Sequence, residues 1–169
     1  AVRLAGLLHD VGHLPFSHQV ENALKRVYEN IQNSPDLLQK EENFKDLYED
    51  ITSNQKQVLH EAIGENFIDL LFKEELIKNS DVQSDIDYFK LLHKLCMFIL
   101  KEKVYAKFDF KVLHSIISGT IDADRLDYIN RDMVASGYIG GANDNLRITK
   151  HTVLVRDGKT FKISFFDMG

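Results

Sequence analysis

The sequence predicts a mainly α-helical fold closed by a small C-terminal β-hairpin, and three observations carry that reading. Only two prolines and nine glycines interrupt 169 residues, which favours long helices. Apolar residues recur at helical spacing through most of residues 1–135. Asp157-Gly158, between two alternating segments, is the strongest short hairpin signal in the chain.

Taken in order, residues 1–11 read as a helix. Gly12 stops it by adopting the left-handed conformation, and Pro15 blocks its resumption. Ser17 is a suitable N-cap for a second helix to about residue 30. On its wheel Val20, Ala23, Leu24 and Val27 form the apolar stripe, which leaves His18 and Glu21 together on a solvent-facing side. Residues 31–53 are polar, break at Asn33-Ser34-Pro35-Asp36 and then hold a short helix; they read as a variable insertion. Amphipathic helices follow at about 55–73, 85–101 and 109–118. In the first of these, Ile63, Phe67 and Leu71 share a face with His60, so a core histidine is one reading of that residue. Asp122-Ala123-Asp124 opens a further helix to about residue 135, ended by Ser136-Gly137 and Gly140-Gly141. His151–Arg156 and Thr160–Phe166 make the hairpin strands. The whole of 1–169 reads as a single domain, with a helical core over 1–135, the insertion at 31–53 and the hairpin within 150–167. Ala1 starts inside an apolar helix pattern without a cap, and the chain stops shortly after a strand, so a fragment truncated at both ends is expected.

Composition narrows the class. Hydrophobic residues make up 44%, charged residues 28% and aromatic residues 10%, a globular profile rather than a disordered or fibrous one. A net charge of −5 is a poor match to non-specific nucleic-acid binding, which depends on Lys and Arg neutralising phosphates. Lys101, Lys103, Lys107 and Lys111 cluster around Tyr105 and Phe108; a solvated helix face is the simpler reading, a regulatory anion site the alternative. The single cysteine, Cys96, lies in the apolar run Leu95–Leu100 and reads as a buried thiol in a reducing compartment. No apolar stretch is long enough to span a bilayer, and the N-terminus lacks a signal pattern. The expectation is a cytoplasmic protein.

Chemistry concentrates in two places. The first is His9-Asp10-Val11-Gly12-His13-Leu14-Pro15-Phe16-Ser17-His18, where three histidines and an aspartate fall within ten positions. Imidazole and carboxylate form a mixed nitrogen and oxygen donor set suited to Mn, Fe, Co, Ni or Zn rather than Ca. Adjacent helical side chains diverge by about 100°, so one ion reaches both His9 and Asp10 only near a helix end. A helix cap followed by a polar loop explains Gly12 and Pro15 but not three histidines. The second place is Asp122-Ala123-Asp124-Arg125-Leu126-Asp127-Tyr128-Ile129-Asn130-Arg131-Asp132. With Asp124 at 0° on a wheel, Tyr128 falls near about 40°, Asp132 near about 80° and Arg125 near about 100°. Leu126, Ile129 and Met133 form a separate core stripe. One face therefore offers a carboxylate, a phenol, a second carboxylate and a guanidinium. An ordinary solvated face with i,i+4 charge pairs is the competing reading.

The two strings together resemble the HD-domain metal-dependent phosphohydrolases, and in particular their deoxynucleoside triphosphate triphosphohydrolase (dGTPase-like) branch. His-Asp-x-Gly-His-x-Pro-Phe-Ser-His and Asp-x-Asp-Arg-x-Asp-Tyr-x-x-Arg-Asp carry the resemblance, which is specific at 5–21 and 119–132. It implies an HD-domain helical bundle and one divalent metal ion (Mn, Fe, Co, Ni, Zn or Mg), held by His9, Asp10 and, after the two segments fold back on each other, Asp124. It implies His18 as general acid, Glu21 as the acidic residue that orients it and His60 as a third active-site imidazole. His13 would bond the α-phosphate, Arg125 and Tyr128 the rest of the polyphosphate, and Asp132 would lie near the sugar 3′-hydroxyl. Arg125 stands where many relatives have Lys, and Glu21 where many have Asp. His93, His114 and His151 match no motif and read as structural. The implied reaction is hydrolysis of a dNTP to deoxynucleoside and triphosphate by a homo-oligomer. A nucleotide phosphodiesterase, a guanosine tetraphosphate hydrolase and a catalytically weak nucleotide-sensing module are the alternatives. The family's first metal histidine lies upstream of the His-Asp pair, where this chain has only eight residues and no histidine. Weak metal retention and poor or no turnover are therefore expected of the 169-residue chain alone.

Overall fold

The structure, a computed structural model, describes residues 1–53, 58–119, 121–137, 144–158 and 160–165. It is mainly helical with a C-terminal antiparallel hairpin, as the patterning predicts. The helices are α1 (Val2–Leu8), α2 (His18–Ile31), α3 (Gln39–Ile51), α4 (Leu59–Leu70), α5 (Gln83–Leu100), α6 (Lys111–Ile117), α7 (Ala123–Ala135) and α8 (Asn145–His151). Helix α4 runs on as a π-helical turn over Leu71–Ile77. A short pair, β1 (Val104–Tyr105) and β2 (Phe108–Asp109), precedes α6, and β3 (Thr152–Asp157) pairs with β4 (Thr160–Phe165). Among the described residues no helix is long and apolar enough to cross a membrane.

The chain groups into two compact units. In the unit made of Ala1–Gly6 and Lys94–Gly169, Ala5, Cys96, Ile99, Phe110 and Ile117 form the core. Cys96 is fully buried, as its apolar run predicts, and burial pushes its thiol pKa up. Helix α6 packs on α7 and on β4. The β3–β4 register runs from Thr152 opposite Phe165 to Asp157 opposite Thr160. Gly158 turns the chain at φ 62°, a conformation open to glycine without steric cost. In the unit Leu7–His93, Tyr28, Tyr48 and Leu59 are the core, with Leu24, Phe44 and Ile63 packed against them. Tyr28 stacks on Tyr48 at 4.7 Å and donates to Glu49 Oε1 at 2.7 Å. Phe72 is fully buried against His93, their rings 4.9 Å apart, and His93 Nε2 pairs with Asp69 Oδ1 at 2.7 Å.

Several local expectations are corrected. The first helix stops at Leu8 rather than at residue 11. Gly12 is not among the positive-φ residues; it is glycine for another reason, given below. In α2 the buried stripe is rotated: Val27 is exposed and Ala23 too, whereas Glu21, Leu24 and Tyr28 face inward. The lysine cluster is not a helix face. Lys103 and Lys107 flank and turn the β1–β2 pair, with Ala106 and Lys107 at φ 49° and 70°, and Lys111 pairs with Glu102 at 3.3 Å. Helix α8 takes in His151, which the alternation placed in a strand. Its signal was Asp144, whose side chain accepts the Arg147 amide at 2.9 Å as an N-cap. Residues 55–57, Gly140, Gly141 and Phe166, part of the sequence expectations, lie outside the described residues.

Candidate functional site

Because α1 ends at Leu8, His9 and Asp10 sit in a turn rather than on a helix, and neighbouring side chains there can converge. The Asp10 carboxylate does so: Oδ2 lies 3.2 Å from His9 Nε2 and Oδ1 lies 3.4 Å from His13 Nε2. Asp10 remains half exposed at 52% while the two histidines are about one-fifth exposed. Its backbone carbonyl accepts the His13 amide at 3.0 Å, which closes the turn. Gly12 lets this turn lie directly on α4. A Cβ there would collide with the His60 carbonyl and the Gly64 amide, and would approach the Gly64 Cα to 2.8 Å.

Between His13 and His18 the backbone is strained. Phe16 and Ser17 have φ of 64° and 49°, a region that costs a non-glycine residue about 1–3 kcal/mol. Ser17 occupies the N-cap position of α2 but makes no side-chain cap. Its Oγ instead lies 3.2 Å from His13 Nδ1. The result is a cluster of three imidazoles. The His13 ring stacks on His60 at 4.1 Å and meets His18 edge-on at 5.0 Å, with His18 and His60 5.4 Å apart.

Glu21 is the hub of that cluster. Its Oε2 lies 2.9 Å from His60 Nδ1 and 3.3 Å from His18 Nδ1, and its Oε1 accepts the His60 backbone N–H at 3.4 Å. His60 is the second residue of α4, whose N-cap, Val58, has no capping side chain. Glu21 thus supplies from another helix an acceptor for one of the amides that a helix start leaves open, and its charge suits that end of the dipole. Burial works against its ionisation, but the hydrogen bonds from His60 and His18 outweigh it, and the carboxyl pKa is lowered. His13 is shifted down by burial, helped by the neighbouring His60 and opposed by Asp10. His18 is the open member, with its side chain 68% exposed against 19% for His60. Donor atoms of His13, His18, Glu21 and His60 all lie within 4.8 Å of one another. The wheel reading of Glu21 as solvent-facing is therefore overturned, and His60 faces imidazole and carboxylate rather than an apolar core.

In the other unit, the helix expected to open at Asp122-Ala123-Asp124 is α7, and Asp122 is its N-cap. It accepts the Arg125 amide at 2.7 Å and the Gly119 amide at 2.8 Å. Asp124, Arg125, Tyr128 and Asp132 all lie on the exposed side of α7, while Leu126, Ile129 and Met133 are half-buried. The helical-wheel division of that segment holds. Beside it is a feature without a sequence signal: an apolar cavity of about 280 Å³ lined by Ile116, Ile121, Leu126, Ile148 and Ile163. It carries little polar surface and no cluster of titratable groups.

Chemically, an imidazole nitrogen and a carboxylate oxygen 3.2 Å apart at His9 and Asp10 fit part of a mixed-donor divalent site. Residues 1–92, which contain both that pair and the Glu21 cluster, match the HD domain. The chain belongs to the HD-domain family. That membership supports metal-dependent hydrolase chemistry in general. This HD-domain chain is also similar to an uncharacterized protein of Mycoplasma pneumoniae, at 29% identity over 166 residues. The alignment covers 98% of the chain and 32% of that protein, so the chain spans about a third of its relative's length. No solved structure matches. His93 and His114 are not in the cluster. Each pairs with a carboxylate, His114 Nδ1 with Glu102 Oε1 at 2.8 Å, in keeping with a structural part.

Proposed function

We propose that this HD-domain chain is a phosphohydrolase that cleaves a deoxynucleoside triphosphate to the deoxynucleoside and intact triphosphate. The observation that supports it most is the exposed His18, held through one ring nitrogen by an ionised Glu21, one turn and a strained loop away from the His9–Asp10 pair. In this reading His9, Asp10 and Asp124 hold a divalent ion, which supplies Lewis-acid polarisation of a phosphoryl oxygen. The α7 residues enter on the strength of their motif.

The residues divide the work as follows. His13 donates to the α-phosphate. Arg125 grips the remaining phosphates with its planar fork of donors, and Tyr128 adds a hydroxyl donor beside it. Asp132 accepts from the sugar 3′-hydroxyl. Water adds at the α-phosphorus and releases one proton to solvent, the bond to the 5′-oxygen breaks, and protonated His18 gives its proton to that oxygen. Glu21 fixes the His18 ring by Nδ1, leaving Nε2 for the leaving group. His60 holds Glu21 in turn.

The test is incubation of the chain with a panel of nucleotides under saturating Mn²⁺, alongside a version extended by about 60 upstream residues, enough for two ordinary helices and their connections. Deoxynucleoside plus triphosphate supports the reading. Monophosphate or pyrophosphate as product indicates a phosphodiesterase or a guanosine tetraphosphate hydrolase instead, and binding without turnover indicates a sensing module.

A further inference from the structure

The Glu21 cluster has the composition of a metal site in its own right. Glu21 Oε2 faces two imidazole nitrogens, at 2.9 Å from His60 Nδ1 and 3.3 Å from His18 Nδ1. Donors at ordinary Zn–N and Zn–O lengths around a tetrahedral ion stand about 3.4 Å apart, so these two carboxylate–imidazole separations lie within about half an ångström of what such an ion needs. Two imidazoles and one carboxylate are a recurrent set for Zn²⁺ and other first-row ions. The surroundings hold the donors in place. The His60 backbone N–H fixes the second oxygen of Glu21. Amides in such outer positions orient metal ligands.

We infer that His18, Glu21 and His60 form a binding site for a first-row transition-metal ion of the Zn²⁺ class, separate from the His9–Asp10 pair, and that filling this site inhibits the enzyme. The inhibitory half rests on the phosphohydrolase reading above. A His18 ring bound to a metal through Nδ1 cannot at the same time be an imidazolium, and giving up its Nε2 proton would leave an imidazolate. Oxygen-preferring Mg²⁺ is poorly matched to imidazole donors and does not compete. The site therefore makes the chain sensitive to the ratio of soft to hard divalent ions.

The binding half is tested by equilibrium dialysis with Zn²⁺, and by the visible absorption of Co²⁺, on folded protein. Asp10→Ala cripples the His-Asp pair and is expected to retain one Zn²⁺ equivalent. Adding His18→Ala to it is expected to weaken that equivalent roughly tenfold or more, since even outer-sphere changes cost about 10–100-fold. His18 is mostly exposed, so its removal leaves folding intact; circular dichroism verifies this, and His60→Ala gives a second, independent removal of a ligand. Loss of all Zn²⁺ in Asp10→Ala, or unchanged affinity in both histidine variants, overturns the site. With binding established, Zn²⁺ titrated into an Mn²⁺-supported reaction is expected to slow turnover in parallel with its occupancy of the cluster. Full turnover at full occupancy overturns the inhibitory half. Absence of turnover at any Zn²⁺ level in the version extended upstream overturns the phosphohydrolase reading and leaves the binding result standing.

Discussion

Glu21 and His60 meet at two points: Oε2 pairs with the ring Nδ1 at 2.9 Å, and Oε1 accepts the backbone N–H at 3.4 Å. One carboxylate thereby joins the start of α4 to the imidazole cluster. Glu21→Ala removes both contacts. The expected loss is about 1–3 kcal/mol of stability from partners left unpaired in a partly buried place. Turnover is expected to fall by about 10²-fold or more as His18 loses its orientation. Urea denaturation and kcat measured on the same samples check the two effects together.

The lowered Glu21 pKa sets a sign for the acid response. Its carboxyl binds a proton less readily when folded than its ordinary value of 4.5, so protonation favours the unfolded chain. The contribution is complete above about pH 4.5 and is lost as pH falls through the folded value. Asp69, shifted down by Lys73 and His93 against its burial, and Glu102, shifted down by Lys111 and His114 against its burial, act in the same direction. Glu21→Gln is therefore expected to flatten the fall of Tm with acid without abolishing it. An unchanged slope would mean that Glu21 titrates alike in both states.

Two glycines that face each other should respond oppositely to alanine. A Cβ on Gly12 has no room beside the His60 carbonyl, whereas a Cβ on Gly64 finds its nearest neighbour, the Gly12 nitrogen, at 3.5 Å. Gly12→Ala is expected to cost about 4 kcal/mol or more, in the range reserved for backbone collisions and buried disruptions. Gly64→Ala should stay within about 1 kcal/mol of the parent and lean towards stabilisation, since alanine outranks glycine inside a helix. Thermal unfolding of the two variants decides it.

His18 separates chemistry from stability. Its side chain is 68% exposed, and truncation of such a residue moves stability by only about 0.5 kcal/mol either way. As the proton donor, the same truncation should cost about 10²–10⁴-fold in kcat. A variant that loses neither, or loses mainly stability, contradicts the role given to it.

Metal dependence provides a further check. A divalent ion at a hundred times its dissociation constant stabilises a protein by about 2.7 kcal/mol, which raises Tm by about 5–10 °C at this size. Mn²⁺ should produce a rise of that kind in the parent chain and not in Asp10→Ala, and chelation with EDTA should reverse it. Equal rises in both would place the ion elsewhere.

The sequence made the helices and the terminal hairpin legible because periodicity and turn chemistry are local. It was less informative where partners come from distant segments. A wheel sees Glu21 as a charge and turns it outward; only the imidazoles of His18 and His60 and the open amide of α4 make its inward position favourable. Gly12 looked like a helix stop, but its reason is a backbone 48 residues away at His60. The β1–β2 pair is too short to alternate, and its lysines resemble a helix face until Ala106 and Lys107 are seen to turn the chain. The helix opening at Asp122-Ala123-Asp124 and the exposed face of Asp124, Arg125, Tyr128 and Asp132 were legible, since both belong to one helix.

The central claim is that His18, held by Glu21, protonates a 5′-oxygen so that a dNTP leaves as nucleoside and whole triphosphate. Its most direct measurement is product analysis of a Mn²⁺-supplemented reaction of the version extended by about 60 upstream residues, comparing that parent with its His18→Ala variant. The expected result is equimolar deoxynucleoside and triphosphate from the parent, formed at least about 10²-fold more slowly by the variant. Release of monophosphate or pyrophosphate, or equal rates from both proteins, would contradict it.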